Sequence, residues 1–204
     1  MKRITAYILA LAMVLASIPA GADTTGHQAG ASTGVYSSVD FSYTLLNNLL
    51  TDNSSAAIAS SDGREEADTI KVLFSHTVPT DATIDGIEIA IRWRSEGGDY
   101  DQTKIQLIKV ATTVGTDKST GSSIPSSNQT ITFGGAADLW GITWTPAEVN
   151  AATFGVAIGV EDTTSRSDDI YIEYVSSSIT YTPSGGGGPS AESMAYGFFL
   201  MAQE

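Results

Sequence analysis

Apolar and polar side chains alternate through most of this chain, with a period of two rather than 3.6. Across residues 87–94, Ile87, Ile89, Ile91 and Trp93 point one way while Glu88, Ala90, Arg92 and Arg94 point the other. Such a stretch is a strand with one face in a core and the other wet or against a partner. Residues 69–78 repeat the pattern through Ile70, Val72 and Phe74, and residues 154–161 through Phe154, Val156, Ile158 and Val160. The opposite face of that last strand carries Gly155, Ala157 and Gly159, a small-residue surface that something bulky can cover. Along residues 104–111 the apolar set changes face between Leu107 and Ile108, a slip that predicts a bulge. Residues 169–182 close the pattern with Ile170, Ile172 and Tyr174, then Ile179 and Tyr181.

One short helix is predicted near residues 146–151. Thr145 and Glu148 have capping-box spacing, and Pro146 takes the first helical position, where its missing N–H costs nothing. The helix must be brief, because Phe154 already begins a strand. Many short strands joined by Gly, Ser, Asp and Pro turns predict an all-β fold, an antiparallel β-sandwich of jelly-roll-like form. The repeated helical periods of an α/β fold are missing from the sequence.

The strand pattern occupies residues 35–182, and the flanks differ from it. Lys2 and Arg3, the apolar residues 8–18 and the small-x-small tract Ala20-Gly21-Ala22 make residues 1–22 a signal peptide cleaved before Asp23. That places the mature protein outside the cytoplasm: extracellular, on the cell surface, or periplasmic. Residues 23–34 are small and polar and read as a flexible leader. Residues 183–190, PSGGGGPS, are a flexible linker by composition. Residues 191–204 hold an apolar tail that is too short to cross a bilayer, which takes roughly 20 residues. Membrane contact is therefore expected only transiently through the signal segment, or through this tail.

Removing residues 1–22 leaves eight basic residues against 23 acidic ones, a net charge of −15. A surface of that sign repels phosphate backbones, which excludes nucleic acid as a partner and suits divalent cations or basic partners. With no cysteine there is neither a disulfide framework nor thiol chemistry, so core packing must hold the domain, with metal or oligomerisation as added support.

Three stretches carry a resemblance: Thr83-Ile84-Asp85-Gly86-Ile87-Glu88-Ile89, Asp138-Leu139-Trp140-Gly141-Ile142-Thr143-Trp144-Thr145, and Phe154-Gly155-Val156. With Leu50-Thr51-Asp52-Asn53-Ser54-Ser55-Ala56 before them, the chain resembles a loosely defined, largely uncharacterised group of phage-encoded and bacterial β-sandwich proteins met among virion and surface proteins. The resemblance implies a fold more than an activity. The export segment and the apolar tail depart from a plain virion protein and favour a cell surface, with the virion as the alternative.

Candidate chemistry is sparse. The only histidines are His27 and His76, and neither stands near a nucleophile-elbow sequence. Glu88 and Glu173 lie on strands without the tight acidic motif of a jelly-roll glycosidase. No enzyme is expected. Glu96, Asp99 and Asp101 cluster in one Gly-containing loop and Asp162, Asp168 and Asp169 in another, and loop carboxylates of this kind suit calcium. A solvated acidic loop reads the same way. Among the aromatics, Trp93 shares the Ile face and belongs to the core. Tyr100, Tyr171, Trp140 and Trp144 are the candidate ligand-binding rings, Tyr100 as the best exposed ring and the two tryptophans with core plugs as the alternative. The sequons at Asn53 and Asn128 are chance matches in a chain with a bacterial-looking start. The sequence reads best as a non-catalytic exported structural or interaction module on a cell or particle surface, with self-assembly or a surface protein as partner. The alternative is a lectin-like carbohydrate-binding module, calcium-supported or not, with a glycan as partner.

Overall fold

The computed structural model describes residues 21–37, 42–60, 68–97, 100–164 and 169–184. Most of the signal segment, the linker beyond residue 184, the whole apolar tail and the acidic tract Asp62-Gly63-Arg64-Glu65-Glu66 lie outside the described residues.

The alternating stretches assemble as two antiparallel sheets. One runs β10 (Gln129–Gly135), β7 (Thr83–Ser95), β12 (Asp169–Thr182), β5 (Ala57–Ser60) and β4 (Ser42–Thr44), with β1 (Asp23–Thr24) and β2 (Gln28–Ala29) also paired to β12. The other runs β3 (Ser32–Ser37), β6 (Asp68–Leu73), β11 (Gly155–Asp162), β8 (Tyr100–Lys109) and β9 (Thr112–Val114). The expected β-sandwich is therefore the observed fold.

The alternation decides what lies between the sheets. Ile87, Ile89, Ile91 and Trp93 of β7 face Ile70 and Val72 of β6, Val156, Ile158 and Val160 of β11, and Ile105 and Leu107 of β8. With Ile170, Ile172, Val175 and Ile179 of β12, each is at most 2 % exposed. After β6 the chain leaves the ladder but keeps its alternation, so Phe74, His76 and Val78 stay buried. The helix α1 (Pro146–Val149) is shorter than expected, and Thr145 N donates to Glu148 Oε2 at 2.9 Å, completing that half of the capping box. A 3-10 turn, Leu46–Leu50, which the sequence pattern does not announce, adds Leu49 to the core.

Three expectations change. Residues 23–34 are not a loose leader. β12 has one edge paired to β7 along its length, and its other edge is shared in turn by β5, β2 and β1. The leader supplies backbone donors and acceptors to an edge that would otherwise stay open, a demand that composition does not reveal. It then changes sheets: Gly30 N donates to Val175 O at 3.2 Å and Ala31 N to Leu73 O at 2.7 Å. A Cβ on Gly30 would come within 2.4 Å of Val72 Cγ1, so this crossing needs glycine.

The bulge expected at Leu107–Ile108 lies elsewhere. The β8–β11 register skips at Thr103, between the pairs Gly159–Lys104 and Val160–Gln102. Ile108 instead sits on the outer face opposite Gly155 and is 0 % exposed, because the small-residue surface of β11 leaves room beside Leu73 and Ile108. Tyr174, read with the inward set of β12, is the third change. The β12–β7 register shifts between Ile172 and Tyr174, which places both Glu173 and Tyr174 outside and returns Val175 to the core.

Candidate functional site

The bulge in β12 adds Tyr174 to the outer face of the wider sheet. β7 presents Glu88, Ala90, Arg92 and Arg94 there, and β12 presents Tyr171, Glu173, Tyr174, Ser176 and Ser178. Tyr171 pairs across from Arg94 and Tyr174 from Arg92. The Arg94 guanidinium carbon lies 3.8 Å above the centroid of the Tyr171 ring, and that of Arg92 lies 5.8 Å from the Tyr174 centroid. Both distances fall within cation–π range.

Arg92 is fixed from two sides. Its Nε donates to Glu173 Oε2 at 3.0 Å and its terminal nitrogen to Asp52 Oδ1 at 2.5 Å. The guanidinium holds the Asp52 carboxyl below the usual carboxylate range. Arg94 has no ion pair among the described residues, so its donors remain available beside the Tyr171 ring. Further along, His27 from the β1–β2 segment lies 3.0 Å from Glu88 and 3.1 Å from the Ser176 hydroxyl. At the loop end, the Tyr171 hydroxyl donates to Glu96 Oε1 at 3.1 Å and reaches Asp169 Oδ2 at 3.4 Å. Burial and these two carboxylates raise the Tyr171 pKa above its ordinary value. The result is a strip of two tyrosine–arginine stacks bordered by carboxylates.

The outer face of the other sheet differs. A cavity of about 150 Å³ lined by Lys71, Leu73, Ile108, Ala111 and Thr153 opens there, with no aromatic ring in its lining.

Three of the rings singled out from sequence, Tyr100, Trp140 and Trp144, lie inside the fold. Tyr100 is 0 % exposed, which corrects the expectation of an exposed ring: β8 begins at this residue, and pairing with Asp162 turns its side chain inward. Trp140 is 0 % and Trp144 6 % exposed, as core plugs at one end of the sandwich. Their indole N–H groups donate to Ile87 O at 2.9 Å and Leu139 O at 3.1 Å. Trp144 also packs edge-on to Phe154 at 5.5 Å. Of the two rings on this strip, Tyr171 is among the candidates named from sequence, whereas Tyr174, read with the inward set of β12, is not. The signal for Tyr174 was the three-residue step from Ile172 to Val175, which breaks the period of two.

Of the calcium candidates, Asp99 and Asp168 lie outside the described residues. Glu96, just after β7, and Asp169, at the start of β12, meet at the Tyr171 hydroxyl. Asp101 accepts from Ser123 Oγ at 2.8 Å. Asp162 is 0 % exposed and accepts from Thr164 N at 2.8 Å. Among the described residues, no three acidic or histidine side chains converge on one point. His76 Nε2 lies 2.5 Å from Ser177 Oγ inside the core, and its Nδ1 meets no hydrogen-bond partner. A serine–histidine pair so placed has neither an orienting carboxylate nor access to substrate.

No described helix is long and apolar enough to cross a membrane. No family model and no curated protein matches the sequence, so the comparisons lend nothing to a phage or virion origin. Among solved structures, the chain is similar to the second N-terminal cellulose-binding domain of β-1,4-glucanase C from Cellulomonas fimi, at 8% identity and TM-score 0.43, covering 79% of this chain and 97% of that one. It is similar to a family 29 carbohydrate-binding module from Piromyces equi, at 14% identity and TM-score 0.36 over 77% and 90% of the two chains. A third is the family 11 carbohydrate-binding module from Clostridium thermocellum in complex with a β-1,3-1,4-mixed-linked tetrasaccharide, at 9% identity and TM-score 0.35 over 81% and 90%. By their descriptions, all three are carbohydrate-binding modules.

Proposed function

We propose that this chain is a non-catalytic carbohydrate-binding module of an exported protein, and that it holds a neutral, linear saccharide along the outer face of the β7–β12 sheet. The observation behind this is the pair of tyrosine–arginine stacks, Tyr171 with Arg94 and Tyr174 with Arg92. A pyranose has an apolar C–H face and a rim of hydroxyls. A half-exposed tyrosine takes the first, and planar guanidinium and carboxylate groups take the second through paired hydrogen bonds. Arg92, clamped between Asp52 and Glu173, is already ordered before a ligand arrives, which lowers the cost of binding. The net negative charge disfavours acidic glycans and leaves neutral ones.

Cellulose oligosaccharides, mixed-linked β-glucan, mannan and xylan are suitable first probes by glycan array and calorimetry. The wild type is expected to bind a neutral glycan with millimolar or tighter affinity. Tyr174→Ala should weaken binding roughly tenfold, about 1.4 kcal/mol, without moving the melting temperature. Absence of binding across the array, or unchanged affinity in both Tyr171→Ala and Tyr174→Ala, would contradict the reading.

A further inference from the structure

We propose that the free edge of β10 is a self-association surface, and that a second copy of this chain pairs with it antiparallel, edge to edge. Sheet edges expose unpaired backbone groups, and monomeric proteins shorten, charge, bend or cover them. The other edges here are managed in these ways. β4 and β9 are each three residues long. Beyond β9, the edge of β8 is taken up by the following segment, through Lys118 N to Ile105 O at 2.8 Å, Gln102 N to Ser122 O at 3.2 Å and Ile124 N to Tyr100 O at 2.7 Å. β3 is bent by a register shift between Val35 and Ser37.

β10 is neither short nor charged nor, among the described residues, covered, and it departs from extended backbone only at its Gly134 end. It is seven residues long, Gln-Thr-Ile-Thr-Phe-Gly-Gly, with no charge and no proline. Among the described residues it pairs only with β7. Gln129, Thr130, Thr132 and Gly134 are exposed.

Charge names the occupant. On a chain with a net charge of −13 as written, most surfaces of two copies repel, whereas this strip brings no carboxylate to the seam. A two-fold axis through Thr132 sets that residue against its own counterpart and Ile131 against Phe133. It also lines the Arg92 row, opposite Thr130, with the Glu88 row, opposite Gly134, of the second copy. Threonine pairs across strands are favourable, and the partly buried Ile131 gains cover. The contact is small, so the dimer is weak and concentration-dependent. The pairing stands apart from the saccharide reading; where both hold, two binding strips lie side by side on one continuous sheet and act together on a long polymer.

Sedimentation of the full chain across a wide concentration range tests this. The mass of the wild type should rise toward twice the monomer, while Thr130→Lys/Thr132→Lys stays monomeric at an unchanged melting temperature. The chain has no cysteine, so Thr132→Cys should oxidise to a covalent dimer faster than Thr80→Cys, an exposed position away from the edge. A monomer at every concentration, a dimer that the lysines leave intact, or equal cross-linking of the two cysteine variants overturns the proposal.

Discussion

Trp140→Ala is expected to lower the stability of the domain by about 3–5 kcal/mol. The indole is 0 % exposed at the end of the sandwich, and its N–H is the donor to Ile87 O. Truncation opens a cavity and strands that carbonyl, two costs that add. The backbone gives nothing back, because alanine inherits the same left-handed φ of 58°. Gly134 shows how closely the site is built: its φ is +78°, and a Cβ there would stand 2.2 Å from Ile87 O and 2.6 Å from Trp140 Nε1. Trp140→Phe keeps most of the volume and loses only the donor, so a smaller loss of about 1–3 kcal/mol is expected. Urea unfolding at constant m-value measures both. An unmoved midpoint for Trp140→Ala would show that the tryptophan does not plug the sandwich.

The second large effect concerns acid. His76 is 4 % exposed, 5.7 Å from the Phe154 ring and 6.1 Å from that of Phe74, and burial lowers its pKa from 6.5 to about 4. Between those values the unfolded chain binds a proton that the folded one refuses. The stability carried by the neutral ring is therefore complete above pH 6.5 and is lost as pH falls toward 4, a change of about 3 kcal/mol. His76→Phe should remove this slope while keeping the aromatic packing. Carboxylates such as Asp52 beside Arg92 and Glu148 beside Lys109 are held below their ordinary values, so their losses come at lower pH. Stability curves of equal slope for wild type and His76→Phe across this window would contradict the assignment.

Period-two alternation made the framework readable in the sequence. The run from Ile87 to Trp93 needs no tertiary information to name its buried face, and Thr145, Pro146 and Glu148 mark a helix start by local chemistry alone. What stayed hidden depended on partners. The leader joins the sheet because β12 lacks an edge partner, and no residue in 23–34 announces that. Tyr100 sits beside an acidic loop yet turns inward, since the phase of β8 is set by its pairing with β11. Tyr174 reaches the surface only because one extra residue in β12 shifts everything after Ile172. That single bulge sets Tyr174 on the same outer face as Tyr171, while Tyr100, Trp140 and Trp144 stay inside the fold.

Chemical-shift mapping with the neutral oligosaccharide that binds most tightly puts the saccharide strip to the most direct test. Titration into the isotope-labelled protein should move the backbone amides of Arg92, Arg94, Tyr171, Glu173 and Tyr174 together, with one common affinity. No movement at saturating sugar, or movement confined to Lys71, Leu73 and Ile108 on the opposite sheet, would contradict it.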